Sequence, residues 1–175
     1  MSVPEEHKRG APRSVKFAVI TVSTSRYNLM KAGKPFTDES GDLISEMVEK
    51  AGHTVSRRML IPDDAEKIRE ALGEALECSD IVVLSGGTGI SPTDVTIETV
   101  EPMFEKGLPG FGELFRLLSY VELGSSAMLT RCTAGTVSGR VVFCIPGSPE
   151  AVRVALSKLI IPEAGHLVKH ARGLG

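Results

Sequence analysis

The chain has 175 residues, of which 42% are hydrophobic and 24% are charged, and its formal net charge is −2. This length and composition predict one globular domain with its own core, and they exclude an intrinsically disordered chain or a coiled coil. The near-neutral charge excludes bulk attraction to nucleic acid or anionic lipid, and no apolar run approaches the ~20 residues of a membrane-spanning helix.

Residues 1–13 are polar and predict a flexible N-terminal arm, whereas residues 14–175 predict a single domain. The first residues contain no apolar run, so we expect no secretory signal. The cysteines Cys78, Cys132 and Cys144 are odd in number and lack metal-ligand spacing, which predicts reduced thiols in a cytoplasmic protein.

Strand and helix patterns alternate along the chain. Nearly continuous β-branched runs predict buried strands, and apolar residues spaced three and four apart predict helices. The predicted strands are 15–22, 54–61, 80–84 and 141–145, and the predicted helices are 42–51, 62–77, one from Ser91, one around 111–118, 126–130 and 149–159. This order predicts an α/β protein whose sheet carries helices on both faces.

The strongest motif follows the third predicted strand, where the sequence reads SGGTGISPTD from Ser85 to Asp94. Its glycines let backbone amides approach an anion, and the helix expected from Ser91 would direct its positive end towards that anion. No lysine follows, so the loop is not a Walker A motif, and a dinucleotide fingerprint would need a third glycine. Residues Ser85–Gly89 and Thr93 are therefore candidate phosphate-binding residues, unless the loop is a tight turn without a ligand.

Two aspartates occupy matching places after predicted strands, Asp63 after 54–61 and Asp94 after 80–84. If these parallel strands are adjacent, both carboxylates lie at the carboxyl edge of the sheet, where open α/β folds bind ligands. A Mg²⁺ ion between them and a phosphate would explain carboxylates beside an anion site. Both also fit helix capping, with Asp63 as an N-cap and Asp94 in the first turn of a helix capped by Ser91.

Two further turns follow strands at the same edge. Pro146–Ser148 offers backbone amides and a hydroxyl as a second anion pocket, or else forms a loop and a helix cap. Thr24 and Ser25 could supply hydroxyls and Arg26 a cation, although Arg26 could equally be a solvated loop residue. Together these turns predict a site for a phosphorylated ligand with Mg²⁺, and they do not identify the ligand.

Three motifs occur in a characteristic order: SGGTGISPTDVTIE at 85–98, GFGELFR at 110–116 and PGSP at 146–149. In this order they resemble the MoaB/MogA family of molybdenum-cofactor biosynthesis proteins, which are related to the G domains of gephyrin. The resemblance extends over residues 14–170. The two ends of the chain look most like the archaeal-type MoaB branch.

The resemblance implies a three-layer α/β/α sandwich with a mostly parallel sheet that assembles into a trimer, or into a hexamer of two trimers. Active members use Mg²⁺ and ATP to adenylylate molybdopterin, release pyrophosphate and pass the product to a MoeA-type metal-insertion protein. The family's essential aspartates match Asp63 and Asp94, its phosphate loop matches Ser85–Gly89, and its second ligand turn matches Pro146–Ser148. The retained sequence Asp94-Val95-Thr96 implies an active member.

Three alternatives stay open from the sequence. The first is an inactive member of the family that binds pterin or nucleotide as a scaffold. The second is a CinA-like pyrophosphatase of nucleotide cofactors, which shares the fold but differs at the TDVT sequence. The third is a nucleic-acid module that uses the basic arm, and it is disfavoured because only 5% of residues are aromatic.

Overall fold

The computed structural model describes residues 10–174, so residues 1–9 of the predicted arm lie outside it and the division into arm and domain stays a prediction. The described strands are β1 (Lys16–Val22), β2 (Thr54–Ile61), β3 (Ile81–Ser85), β4 (Lys106–Gly107), β5 (Thr133–Val137) and β6 (Arg140–Ile145). The described α-helices are α1 (Thr24–Lys31), α2 (Glu39–Lys50), α3 (Ala65–Cys78), α4 (Thr96–Val100), α5 (Pro109–Leu123), α6 (Pro149–Val154) and α7 (Ile161–Ala171). Over this part of the chain, no helix has the length and hydropathy needed to cross a membrane.

The strands form one sheet in the order β2-β1-β3-β6-β5-β4. β1 pairs in parallel with β2 and β3, and β3 pairs in parallel with β6. β5 and β4 extend the sheet in antiparallel orientation, so that β5 and β6 form a hairpin. This topology confirms the α/β class with a mostly parallel sheet, and it adds a hairpin that the sequence pattern does not predict.

The pleat of the central strands divides the core into two layers. In β3, Ile81 and Val83 face one layer, whereas Val82 and Leu84 face the other. Helices α2, α5, α6 and α7 cover the first face, and α3 and α4 cover the second. Because both faces are buried, each central strand is apolar along most of its length, which explains why these strands are predictable from sequence.

The three cysteines are free thiols. Cys132 and Cys144 are buried, and Cys78 is half-buried. Burial raises the pKa of Cys132 to about 11 and raises the pKa of Cys144 as well. Both buried thiols therefore stay protonated near neutral pH and are poor nucleophiles.

Two predicted helix starts are wrong. The N-cap of α3 is Asp64 rather than Asp63, and its carboxylate accepts a hydrogen bond from the Lys67 amide at 2.9 Å. No helix begins at Ser91, since α4 begins only at residue 96. Instead the Asp94 carboxylate accepts from the Ser91 amide at 3.0 Å and closes a turn. Neither Asp63 nor Asp94 is therefore the N-cap of a helix.

Several elements could not be predicted from hydrophobic spacing in the sequence. None of the residues of α1 is buried, so this helix has no apolar stripe, and it begins at the N-cap Ser23. β5 has the sequence TAGTV, in which small residues hide the strand pattern. The predicted helix 149–159 continues through a π-helical segment, Ala155–Ile160, into α7. This segment ends two residues before Pro162, which lacks the amide proton that a regular helix would use.

The backbone of Gly86, directly after β3, packs closely against β1. Gly86 has a φ of +105°, and a Cβ atom there would lie 2.3 Å from the carbonyl oxygen of Val22 in β1. The Gly86 amide donates to the Ile145 carbonyl of β6 at 3.0 Å. Gly86 thus packs between the ends of β1 and β6, a place that only glycine fits without strain.

Replacing Gly86 with Ala is expected to lower the free energy of unfolding by about 2–4 kcal/mol, because the added methyl group meets rigid backbone at an unfavourable φ. Gly73 in α3 is the matched control, since a Cβ atom there meets nothing within 4 Å. Gly73→Ala should raise the free energy of unfolding by about 1 kcal/mol. Urea unfolding followed by circular dichroism measures both changes, and a Gly86→Ala protein as stable as the wild type would contradict the packing described.

Candidate active site

A cleft of about 450 Å³ opens beyond the carboxyl ends of β1, β3 and β6. Loops that follow all three strands contribute to it, as the rule for ligand sites in open α/β sheets requires. Its walls are formed by Arg26, Gly86, Gly87, Thr88, Gly89, Asp94, Leu129, Thr130, Arg131, Pro146 and Gly147. Seven of these residues belong to the set predicted from the sequence.

Hydrogen bonds from Thr96 to its carbonyl groups hold the glycine loop after β3 in place. The Thr96 hydroxyl donates to the Gly86 carbonyl at 2.9 Å, and the Thr96 amide donates to the Gly87 carbonyl at 3.0 Å. Within residues 10–174, no hydrogen bond uses the amides of Gly87, Thr88 or Gly89. Free amides of this kind along a cleft wall form an anion-binding surface.

Asp63 lies against this loop and is held by the first turn of α1. One carboxylate oxygen, Oδ2, accepts from the Thr24 amide at 2.9 Å and from the Thr24 hydroxyl at 2.8 Å. The Thr24 hydroxyl in turn accepts from the Asp63 amide at 2.9 Å. The other oxygen, Oδ1, would lie 2.8 Å from a Cβ atom on Gly87, so this carboxylate contacts the loop.

Asp94 contacts the other end of the loop. Its Oδ2 atom would lie 2.6 Å from a Cβ atom on Gly89. The Asp94 amide donates to the Ser91 carbonyl at 2.9 Å, and the Ser91 amide donates back to the carboxylate. The turn therefore fixes the carboxylate beside the glycine loop without a helix.

Asp63 and Asp94 contact the same loop, but for a different structural reason from the predicted adjacency of their strands. β1 lies between β2 and β3, so the strands that precede Asp63 and Asp94 are not adjacent. The loop after β3 has positive φ values of +105° at Gly86 and +63° at Gly87, and it passes over the end of β1. That passage brings Gly87 to Asp63 and leaves Gly89 beside Asp94.

The second predicted turn divides between two cavities. Pro146 and Gly147 line the cleft, and a Cβ atom on Gly147 would lie 3.3 Å from the Gly86 Cα atom. Ser148 is the N-cap of α6, where its hydroxyl accepts from the Ala151 amide at 3.2 Å. Ser148 also lines a neighbouring cavity of about 330 Å³ that shares Pro146 and Thr130 with the cleft.

Besides Ser148, five predicted residues are not part of the cleft wall: Asp63 and Thr24, which are described above, and Ser85, Thr93 and Ser25. Ser85 is buried, and its hydroxyl donates to the Pro146 carbonyl at 3.4 Å. Thr93 is exposed, with its hydroxyl 3.0 Å from that of Ser91. Ser25 is exposed on α1, with its hydroxyl 3.3 Å from that of Ser23. The side chains of Ser85, Thr93 and Ser25 therefore do not line the cleft.

Arg131 is the functional candidate that the sequence patterns miss. It lies in the segment between Gly124–Leu129 and β5, and its guanidinium reaches the carbonyl of Gly89 at 2.9 Å. A single arginine 42 residues from its partner, outside any motif, has no signal in one sequence. Arg26, considered from the sequence, does line the cleft, and its Nε donates to the Thr37 carbonyl at 2.9 Å.

No group of three or more His, Cys, Asp and Glu side chains in residues 10–174 could hold a metal ion. The available carboxylate donors beside the glycine loop are those of Asp63, next to Gly87, and Asp94, next to Gly89. Carboxylate oxygens suit Mg²⁺, which takes one or two protein carboxylates and completes its shell with water and phosphate oxygens. The donor set therefore fits a Mg²⁺ ion that binds together with a phosphate-containing ligand.

Two carboxylates flank a glycine loop whose amides have no hydrogen-bond partner within residues 10–174, at the carboxyl edge of a sheet covered on both faces. These features define an α/β protein with a cleft suited to an anion. The family can be stated more closely. The family model described as "Probable molybdopterin binding domain" matches residues 18–166, and the chain belongs to this family.

Individual relatives agree with this family over nearly the whole chain. The "Molybdenum cofactor biosynthesis protein B" of Bacillus anthracis is 47% identical, covering 95% of this chain and 96% of that protein. The "Molybdopterin adenylyltransferase" of Pyrococcus furiosus is 45% identical, covering 96% and 98%. Among solved structures, the "tungsten cofactor synthesizing protein MoaB" from Pyrococcus furiosus matches with a TM-score of 0.83 at 43% identity, covering 93% of this chain and 99% of that one.

Replacing Thr24 with Val is expected to lower the free energy of unfolding by about 1 kcal/mol, because the nearly isosteric side chain loses both hydroxyl hydrogen bonds to Asp63. Thr24→Ser keeps the hydroxyl and should stay within about 0.5 kcal/mol of the wild type. Urea titration measures both variants. A Thr24→Val protein as stable as the wild type would show that the hydroxyl hydrogen bonds to Asp63 do not contribute to stability.

Proposed function

We propose that this protein is a molybdopterin adenylyltransferase, which transfers AMP from ATP to the terminal phosphate of molybdopterin and releases pyrophosphate. The observation that carries the proposal is the glycine loop, flanked by Asp63 and Asp94, whose three amides have no hydrogen-bond partner in the described part of the chain. Its family membership and its relatives of the same length, which include a protein named molybdopterin adenylyltransferase, support the proposal.

In the proposed complex, different parts of the site bind the nucleotide phosphates, position Asp63 and bind the pterin. The amides of Gly87, Thr88 and Gly89 bind nucleotide phosphates. Thr24 keeps the Asp63 carboxylate in place through its hydroxyl and amide. The neighbouring cavity that Ser148 lines, with both polar and apolar walls, takes the pterin end of the acceptor.

We assign the metal site to Asp94 and Asp63, which bind Mg²⁺ directly or through water. Beside two carboxylates, a bare phosphate chain would be repelled. Bound there, Mg²⁺ supplies charge neutralisation for the phosphate oxygens.

The chemistry needs no strong base. A phosphate monoester oxygen is already anionic near neutral pH, and it attacks the α-phosphorus of ATP in line. The new bond joins that oxygen to the α-phosphorus, and the bond from the α-phosphorus to the bridging oxygen breaks. Pyrophosphate leaves with the electron pair. The protein contributes by positioning the two phosphates and by balancing their charge.

We also propose that the protein forms a homo-oligomer, either a trimer or a hexamer of two trimers. Exposed apolar side chains on and after α5 support this self-association. They include Leu114, Leu117, Tyr120, Val121, Leu123, Met128 and Leu129. We place the reaction in the cytoplasm, and the product would pass to a MoeA-type metal-insertion protein.

Replacing Asp94 with Asn is expected to lower adenylyl transfer by about 10²-fold or more, because the site loses a charge that the metal requires. Asp63→Asn should cause a loss of similar size. The reaction is followed with purified molybdopterin, Mg²⁺ and ATP, and both adenylyl-molybdopterin and pyrophosphate are quantified. The proposal requires one pyrophosphate for each adenylylated pterin.

Asp64→Asn is the matched control, since Asp64 neighbours Asp63 but caps α3, whereas the Asp63 carboxylate contacts the glycine loop. Asparagine is as good an N-cap as aspartate, so this variant should keep near-normal turnover. Wild-type protein that binds both ligands without turnover would identify a scaffold. Hydrolysis of a nucleotide cofactor without transfer to the pterin would identify a pyrophosphatase. Near-normal turnover by Asp94→Asn would also contradict the proposal.

A further inference from the structure

Arg131 is a cation at the cleft wall that the reaction described above does not use. Its Nη1 atom donates to the Gly89 carbonyl at 2.9 Å, and its Nη2 atom forms an ion pair with Glu98. Its side chain is 33% exposed, so it is neither buried in the core nor free in solvent. Gly89 therefore contacts the guanidinium through its carbonyl oxygen and also lies against the Asp94 carboxylate.

Glu98 fixes the orientation of this guanidinium. The hydrogen bond from Arg131 lowers the pKa of Glu98, so the carboxylate is ionised at neutral pH. The Glu98 side chain is 52% exposed, and an ion pair this accessible to water contributes little to stability. We therefore attribute to the Arg131–Glu98 ion pair the role of orienting the guanidinium rather than of stabilising the fold. A guanidinium has five N–H donors, and the bonds to Gly89 and Glu98 leave others for a ligand.

The balance of charge in the cleft favours a polyphosphate as that ligand. Asp63 and Asp94 are negative, whereas the loop amides supply only partial positive charges. Along the described cleft wall, the cationic side chains are those of Arg26 and Arg131. The β- and γ-phosphates carry most of the negative charge of ATP. A planar guanidinium binds two phosphate oxygens at once, which a single point charge cannot do.

We infer that Arg131 binds the β- and γ-phosphates of the nucleotide and then the pyrophosphate that leaves, with Glu98 as its positioning residue. This inference rests on the proposed adenylyl transfer. When the bond from the α-phosphorus to the bridging oxygen breaks, the electron pair stays on that oxygen, and the guanidinium stabilises the added charge. Arg131 thereby makes the cleft selective for a nucleoside triphosphate over a monophosphate.

Calorimetric titration of Arg131→Gln with pyrophosphate, ATP and AMP, each with Mg²⁺, tests the inference. Pyrophosphate and ATP should bind at least tenfold more weakly than to the wild type, and AMP should stay within twofold. Arg131→Lys keeps the charge without the planar fork and should lie between. Glu98→Gln should weaken pyrophosphate binding about threefold. In the transfer assay, Arg131→Gln should raise the KM for ATP and lower kcat, with the KM for molybdopterin unchanged.

Arg57→Gln is the matched control, because Arg57 forms an exposed ion pair with Glu74 on β2 and α3, and neither residue lines the cleft. It should leave all three affinities unchanged. Unaltered pyrophosphate binding by Arg131→Gln would overturn the inference. Equal weakening of AMP and pyrophosphate would also overturn it, since it would show that Arg131 only braces the glycine loop. If Arg131→Gln does not fold, Arg131→Lys decides by the same two criteria.

The two proposals fail separately. Pyrophosphate binding requires no turnover, so a wild-type protein that binds pyrophosphate through Arg131 but transfers no AMP contradicts only the proposed function. If the wild type and Arg131→Gln transfer AMP at the same rate, the result contradicts only the inference.

Discussion

The packing of Gly86 between the ends of β1 and β6 is the constraint on which the cleft depends. A Cβ atom at this position would lie 2.3 Å from the Val22 carbonyl oxygen, and the Gly86 amide is bonded to the Ile145 carbonyl. Because the loop can pass this close over β1, it reaches from the end of β3 to Asp63 on one side and Asp94 on the other. A larger residue would lift the loop and separate the two carboxylates from the amides between them.

The backbone and the side chains contribute different kinds of charge to the site. The loop amides of Gly87–Gly89 supply partial positive charge that no titration removes, and the carboxylates of Asp63 and Asp94 suit a divalent cation. Arg131 supplies a full positive charge whose position is set by Glu98 and Gly89. In the proposed complex, this local arrangement allows a protein with a net charge of −2 to bind a highly charged anion by local groups.

The parts of the molecule that depend on local pattern could be predicted from the sequence, and those that depend on long-range packing could not. β3 and the loop after it follow from a continuous apolar run and the glycines, because burial on both faces leaves a strong signal. The sequence predicts the N-cap of α3 one residue too early, since Asp63 and Asp64 are equally good caps and only the contact of Asp63 with Thr24 distinguishes them. The role of Arg131 depends on a partner 42 residues away, and no spacing rule reveals such a contact.

The β5–β6 hairpin has a consequence for the energetics of binding. Arg131 lies two residues before Thr133 and Pro146 two residues after Cys144, and these two strand residues are paired in register. Two walls of the cleft are thus the open ends of one hairpin, and the hydrogen-bond ladder sets their separation. A cleft whose width is fixed by strand spacing is preorganised, so a ligand need not order these segments and loses less binding energy to conformational entropy.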